Sequence, residues 1–240
     1  MPQRLLDRQI RLLEHLTSRA CIFGAARGVA NDPTLLGLDL GLLHLEARFS
    51  HEKRMQKIEW VLTRTLELLG NKRAVVTQEF IDACPPAGIS WLENARQFHG
   101  FLKSRWRSQA PEPPYLPDVA AYELAYATVR AGEMQAPIRC DDVALPGAIR
   151  RYPGAVLLRC AYDIRPILEG NDGAPERRMN LAVTMQPGTD VPQVSELSCD
   201  LLEILEMLDA FVDPAMFQDM PEVEELIQNL AASGLIEVHR

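Results

Sequence analysis

The chain has 240 residues, 47% of them apolar, with a formal net charge of −8. That length suits one large or two small domains, and no apolar run reaches the ~18 residues of a membrane span. The charge is uneven: residues 1–109 carry 16 basic and 11 acidic side chains, residues 110–195 carry 8 and 11, and residues 196–240 carry 1 and 11. So acidic an end repels a phosphate backbone, which disfavours nucleic acid as a partner and favours a basic or neutral peptide.

Residues 1–20 place Leu5, Leu6, Ile10, Leu12, Leu13 and Leu16 at near-helical spacing. Residues 1–16 alternate charge with leucine and lack an apolar signal core, so a helix of the mature protein, a cytoplasmic location and no membrane partner are expected. The glycine run 24–28 has no G-K-[ST] ending and is no phosphate loop. Residues 34–69 read as two helices or one bent one, closed by the Gly70-Asn71 C-cap signal. A short helix over 75–83 follows, with Thr77 as its N-cap. Ser90 then caps a helix to about residue 107, with Glu93 at the capping-box position.

Residues 111–130 organise the rest. Three prolines in four residues cannot be helix interior. Pro117 then sits in the first turn of a helix, and Asp118 stands where the dipole favours a carboxylate. Ala120, Ala121, Ala125 and Ala127 keep one side thin, which predicts a central element with other helices close around it. The domain junction is expected just after it.

Beyond this helix the texture changes. Residues 131–153 read as loop. Residues 155–168, 178–186 and 191–197 read as strands, the last with Pro192 marking an edge. Ser198 caps a helix over 199–211. Helical turns follow from Asp213-Pro214 and from Pro221, and Gly234 leads into a possible strand at 235–238. The expected fold is α+β: an all-helical domain over 1–135, then a winged-helix-like module over 136–240 with a three-stranded antiparallel sheet and helices.

Chemistry is sparse. Five scattered cysteines (21, 84, 140, 160 and 199) include no C-x-x-C and read as small buried hydrophobes. His51-Glu52 begins a metalloprotease motif that fails at Met55. His44 and His51 are about 10 Å apart along a helix, too far for one metal. His51, Arg54 and Arg48 form either a partner-facing polar surface or ordinary helix exterior. Lys53, Arg54, Lys57 and Arg64 read as a solvated face rather than a nucleic-acid contact. Asp118, Glu123 and the Asp141-Asp142 pair are the possible acids, better explained by capping and an exposed loop. No catalytic constellation emerges.

Residues 69–132 nevertheless resemble the N-terminal domain of the HvfC family, once labelled DNA-binding. The features are Leu69-Gly70 ending a helix, Phe80, Pro85-Pro86, Leu92, Phe98, Phe101-Leu102 and the run P-Y-L-P-D-V-A-A-Y-E at 114–123. They span about a quarter of the chain; residues 1–68 are an extension to the pattern. The resemblance implies a non-catalytic partner subunit of a TIM-barrel enzyme with a multinuclear non-haem iron site. Such pairs work in methanobactin biosynthesis and in 3-thiaglutamate synthesis, where the β-carbon of a peptide's C-terminal cysteine is excised. The iron then belongs to the partner, and no cofactor is expected in this chain.

The C-terminal half looks like the family's module that holds a ribosomally made precursor peptide. Such a peptide is expected to add a strand beside Val191, Gln193, Val194 and Ser195 and to lay side chains against Leu226, Ile227 and Leu230 of the last helix. Five strand hydrogen bonds at ~1 kcal/mol fall short of the ~8 kcal/mol of micromolar binding, so apolar pockets must add the rest. The iron enzyme is expected to meet Tyr115, Tyr122, Glu123 and Tyr126. The alternative from another class is a DNA-binding transcriptional regulator; a hydrolase or lyase ranks third.

Overall fold

A computed structural model describes residues 2–23, 37–132, 146–186, 188–217 and 222–239. The glycine run 24–28, Cys140, the Asp141-Asp142 pair, Pro187 and Pro221 lie outside these residues. The chain is α+β and divides into two compact units, Met1–Pro114 and Tyr115–Arg240.

The first unit is helical: α1 (Pro2–Leu16), α2 (Arg19–Ile22), α3 (Leu40–Glu59), α4 (Thr63–Leu68), α5 (Arg73–Ala83) and α6 (Trp91–Trp106). Its boundaries follow local chemistry. Asp39 caps α3 by accepting from the N–H groups of Gly41 and Leu42, and Ser90 caps α6 by accepting from Glu93 N–H. Gly70 has φ +52°, the left-handed conformation expected where the helical stretch turns. Thr77 is interior to α5, which starts earlier, at Arg73. The core gathers Ile58, Leu62, Leu66, Phe80, Leu92, Phe98 and Leu102, all essentially inaccessible. Phe98 meets Phe80 edge-on at 5.0 Å. In contrast, Leu5, Leu13, Leu42 and Phe49 on α1 and α3 stay at least half exposed.

His99 on α6 has its pKa pushed down to about 4, by burial first and by Lys103 one turn on. A depressed folded pKa stabilises the fold above the unfolded value of ~6.5 and loses that stability as pH falls toward 4. Stability measured by thermal melts is expected to decline across that window by about 3 kcal/mol. His99→Leu should flatten the profile; an unchanged slope in the variant would place the titrating group elsewhere.

The second unit begins with α7 (Leu116–Arg130). It continues through β1 (Ile149–Arg151), β2 (Val156–Cys160), α8 (Arg165–Leu168), β3 (Met179–Met185), β4 (Pro192–Leu197), α9 (Cys199–Met207), α10 (Val223–Ala232) and β5 (Ile236–Val238). Strands β2-β3-β4 form an antiparallel sheet in that order, and β1 pairs antiparallel with β5. Two expectations are corrected here. Residues 149–151 are a strand rather than loop. Residues 155–168 are one strand and a short helix, because Pro166 sits in a helical first turn.

The boundary also moves. The compact units part at 114/115, ahead of α7 rather than after residue 135. The reason is packing: Ala125 and Val129 of α7 share an apolar cluster with Val183, flanked by Tyr126, Val156, Leu158 and Met185. Asp118 accepts from the N–H groups of Ala161 and Tyr162 at 2.8 and 3.0 Å. The alanine-thin helix therefore covers a sheet, where the sequence pointed to a setting among helices. The other sheet face packs Ala182, Leu157 and Leu197 on Leu202, Leu205 and Leu230. Covered on both sides, β3 is buried nearly throughout, as strands inside a layered fold must be.

Gly234 ends α10 at φ +71°, a conformation that side chains resist. Its N–H donates to Ala231 O and that of Leu235 to Leu230 O. The Gly234 carbonyl accepts from Thr184 Oγ1 on β3 at 2.7 Å. This hydrogen bond ties the start of β5 to the sheet's centre.

Candidate functional site

The β4 strand is one edge of its sheet. Its register against β3 pairs Pro192 with Met185, Val194 with Val183 and Glu196 with Leu181. Directly opposed residues share a face, so Pro192, Val194 and Glu196 lie on the α7 side. Gln193, Ser195 and Leu197 lie on the α9 and α10 side. Among the described residues, the backbone of β4 makes no hydrogen bond outside its ladder with β3. An edge of unpaired N–H and C=O groups is a template for another strand.

The edge is also apolar in places. Val191 is 57% exposed and Val194 40%. Gln193 Nε2 donates to Gln186 Oε1 across the pair, and Thr189 Oγ1 donates to the Val191 carbonyl at 3.3 Å. The opposite edge, β2, is half-buried for most of its length, and Arg159 on it is paired with Glu206 of α9 at 2.5 Å. The exposed middle of β4, at Gln193 and Val194, makes it the more open of the two.

One end of β4 is fixed by an ion cluster that no spacing in the sequence signalled. Arg165 and Arg177 both donate to Glu196, at 2.9 and 2.6 Å. Both also donate to Asp163, which is 6% exposed. The guanidinium of Arg165 is the main reason the Asp163 carboxyl is held down at about 2. The four groups come from the β2–α8 connection, α8, the approach to β3, and β4. Only the antiparallel register brings them together.

The expected site residues separate into two sets. Val191, Gln193, Val194 and Ser195 lie along the open edge. Leu230 is 6% exposed and belongs to the core, while Leu226 and Ile227 are half-buried against the same cluster. The apolar side of α10 thus faces inward and lies against β5; the pocket expected from it is filled by the protein's own core.

Of the residues expected to meet a partner, Tyr115 is buried. Its hydroxyl donates to the Asp172 carbonyl at 2.8 Å, and its ring meets Tyr162 edge-on. Both uses make it a structural residue. Tyr122, Glu123 and Tyr126 are half-buried on α7. The Tyr122 and Tyr126 rings lie 6.1 Å apart, and burial pushes the Tyr122 hydroxyl pKa up.

The thiols differ in environment. Cys160 is buried and pushed up to about 12, by burial first and then by Asp118 and Asp163. Such a thiol is unreactive. Cys21 is buried and Cys199 exposed. His44 bonds to the Cys21 carbonyl and His51 packs on Phe23 at 5.8 Å. Among the described residues no three His, Cys, Asp or Glu side chains gather as a metal would require, and no helix is long and apolar enough to cross a membrane.

No protein-family model matches the chain, and no curated protein matches it in sequence.

Proposed function

We propose that this chain is a non-catalytic partner subunit, which binds a ribosomally made precursor peptide and presents its cysteine to a multinuclear non-haem iron TIM-barrel enzyme. The observation that carries this reading is the open β4 edge, with its exposed valines and its backbone unpaired on one side among the described residues. Strand addition supplies register through the main chain, and the acidic surface of α9 and α10 suits a basic or neutral peptide. Asp200, Glu203, Glu224 and Glu225 are all exposed there. The uncovered leucines and Phe49 of α1 and α3 support the partner half of the reading, since exposed apolar surface marks association sites.

In this reading the iron is the partner's and performs the oxidation. The resemblance of residues 69–132 to the HvfC family suggests peptide natural-product biosynthesis, with excision of a cysteine β-carbon on the 3-thiaglutamate pattern as the reaction.

Affinity purification of the tagged chain from native cell extract, followed by metal analysis, tests the proposal. The expected result is co-elution with a barrel-sized protein carrying iron, and a metal-free chain once that protein is stripped away. Iron retained stoichiometrically by the isolated chain would overturn it. So would recovery with DNA and a steeply salt-dependent duplex affinity, which would put the regulator reading first.

A further inference from the structure

The first unit holds a cavity of about 240 Å³ between the α1–α2 junction, α3, the end of α5 and the 86–94 segment. Its apolar wall includes Leu16, Ile22, Ala47, Ile81 and Ile89. Its charged lining is of one sign: Lys53, Arg54 and Lys57 line it, and no aspartate or glutamate among the described residues does. Their spacing along α3 reads from sequence as a solvated face, and for Arg54 that is corrected. Arg54 is 8% exposed, with its guanidinium 4.4 Å from the centre of the Phe80 ring.

The partners of Arg54 are the telling point. Nε donates to Asn94 Oδ1 at 3.0 Å, Nη1 to the Cys84 carbonyl at 2.9 Å and Nη2 to Gln97 Oε1 at 2.8 Å. All three acceptors are neutral, and no carboxylate among the described residues pairs with it. Guanidinium has five N–H donors and does not lose its charge in proteins, so among the described residues a cation sits in the interior without a counter-ion. Uncompensated burial of a charge is costly. Burial is also the main influence pulling the Arg54 pKa down.

The surroundings hold Arg54 in place. Asn94, 2% exposed, is locked by donating to the Gly88 and Ser90 carbonyls. Lys57 Nζ donates to the Ile89 carbonyl at 2.7 Å at the cavity's side. Two pre-positioned cations on a low-dielectric wall concentrate a field on the cavity. The apolar wall and small volume exclude a nucleotide and fit a short hydrocarbon body; pockets for drug-sized ligands begin near ~300 Å³.

From these residues we infer that the cavity binds a small carboxylic acid with an apolar body, its carboxylate pairing with buried Arg54 and half-buried Lys57, neither of which has a carboxylate partner among the described residues. The inference rests on the first unit alone and is independent of the β4 reading.

Isothermal titration of the intact chain with sodium hexanoate tests it, with hexanamide and inorganic phosphate as comparison probes. Hexanoate is expected to saturate a single site, with hexanamide at least about tenfold weaker for want of charge-assisted hydrogen bonds. Phosphate should be weaker than hexanoate for want of an apolar body. Lys57→Met should cost hexanoate about tenfold while thermal melting confirms an intact fold, which makes it the primary variant because Arg54→Gln disturbs a buried network. Three results would each overturn the inference: no saturation by about 10 mM hexanoate, equal binding of hexanamide, or unchanged affinity in Lys57→Met.

Discussion

Proline substitutions at Gln193 and Val194 are expected to have opposite consequences, one for folding and one for binding. Neighbouring N–H groups of a strand point to opposite edges, so one of these two faces β3 and the other faces away. Proline at the inward position removes a ladder bond and lowers the melting temperature. At the outward position it leaves the β3 ladder intact, removes a donor that an added strand needs, and places a ring in its path. Peptide recovered with the chain should then bind at least about a hundredfold more weakly, because several bonds of ~1 kcal/mol are lost together. The melting temperature of that variant should stay within about 2 °C, as for surface changes generally. Titration and thermal melting of the same two proteins decide the matter. Undiminished peptide binding in both would remove β4 from the site.

Phe80→Ala is expected to be the most destabilising single change in the first unit. The ring is inaccessible to solvent. It contacts Phe98 at 5.0 Å and Phe101 at 5.5 Å and lies under the Arg54 guanidinium. Truncating a core phenylalanine costs about 3–5 kcal/mol. In a unit this size each kcal/mol moves the midpoint by about 4 °C or more, so a fall of roughly 10–20 °C is expected. Phe80→Leu restores most of the buried area but not the aromatic face. It should recover part of the loss and leave the portion owed to the cation–π contact. Equal stability of the alanine and leucine variants would mean that packing around position 80 contributes little.

Much of the element inventory was legible in the chain. The Ser90 and Ser198 caps, the helix-ending glycines at 70 and 234, and the strand-forming run over 178–186 are local signals, and each stands where its neighbours in sequence put it. The β1–β5 pair was less legible. Each strand is three residues long, too short for a period to show, and they join residues such as Arg150 and Glu237 across 87 positions of sequence. The candidate edge was foreshadowed by Pro192, which is tolerated at sheet margins. The ion cluster closing one end of that edge was not, because its members have no fixed spacing.

What the sequence determined by itself, then, is where the capped and glycine-ended elements start and stop and which residues of each are apolar, since caps, glycines and periodicity act over a few residues. Only tertiary structure decided what covers each apolar side. It laid α7 on a sheet, turned Leu230 into the core, and took Arg54 from a charged helix face into the interior beside a cavity. The physical reason is that burial depends on contacts between residues distant in sequence. An apolar or charged pattern has the same period whether its face meets a helix, a sheet, a ligand or water.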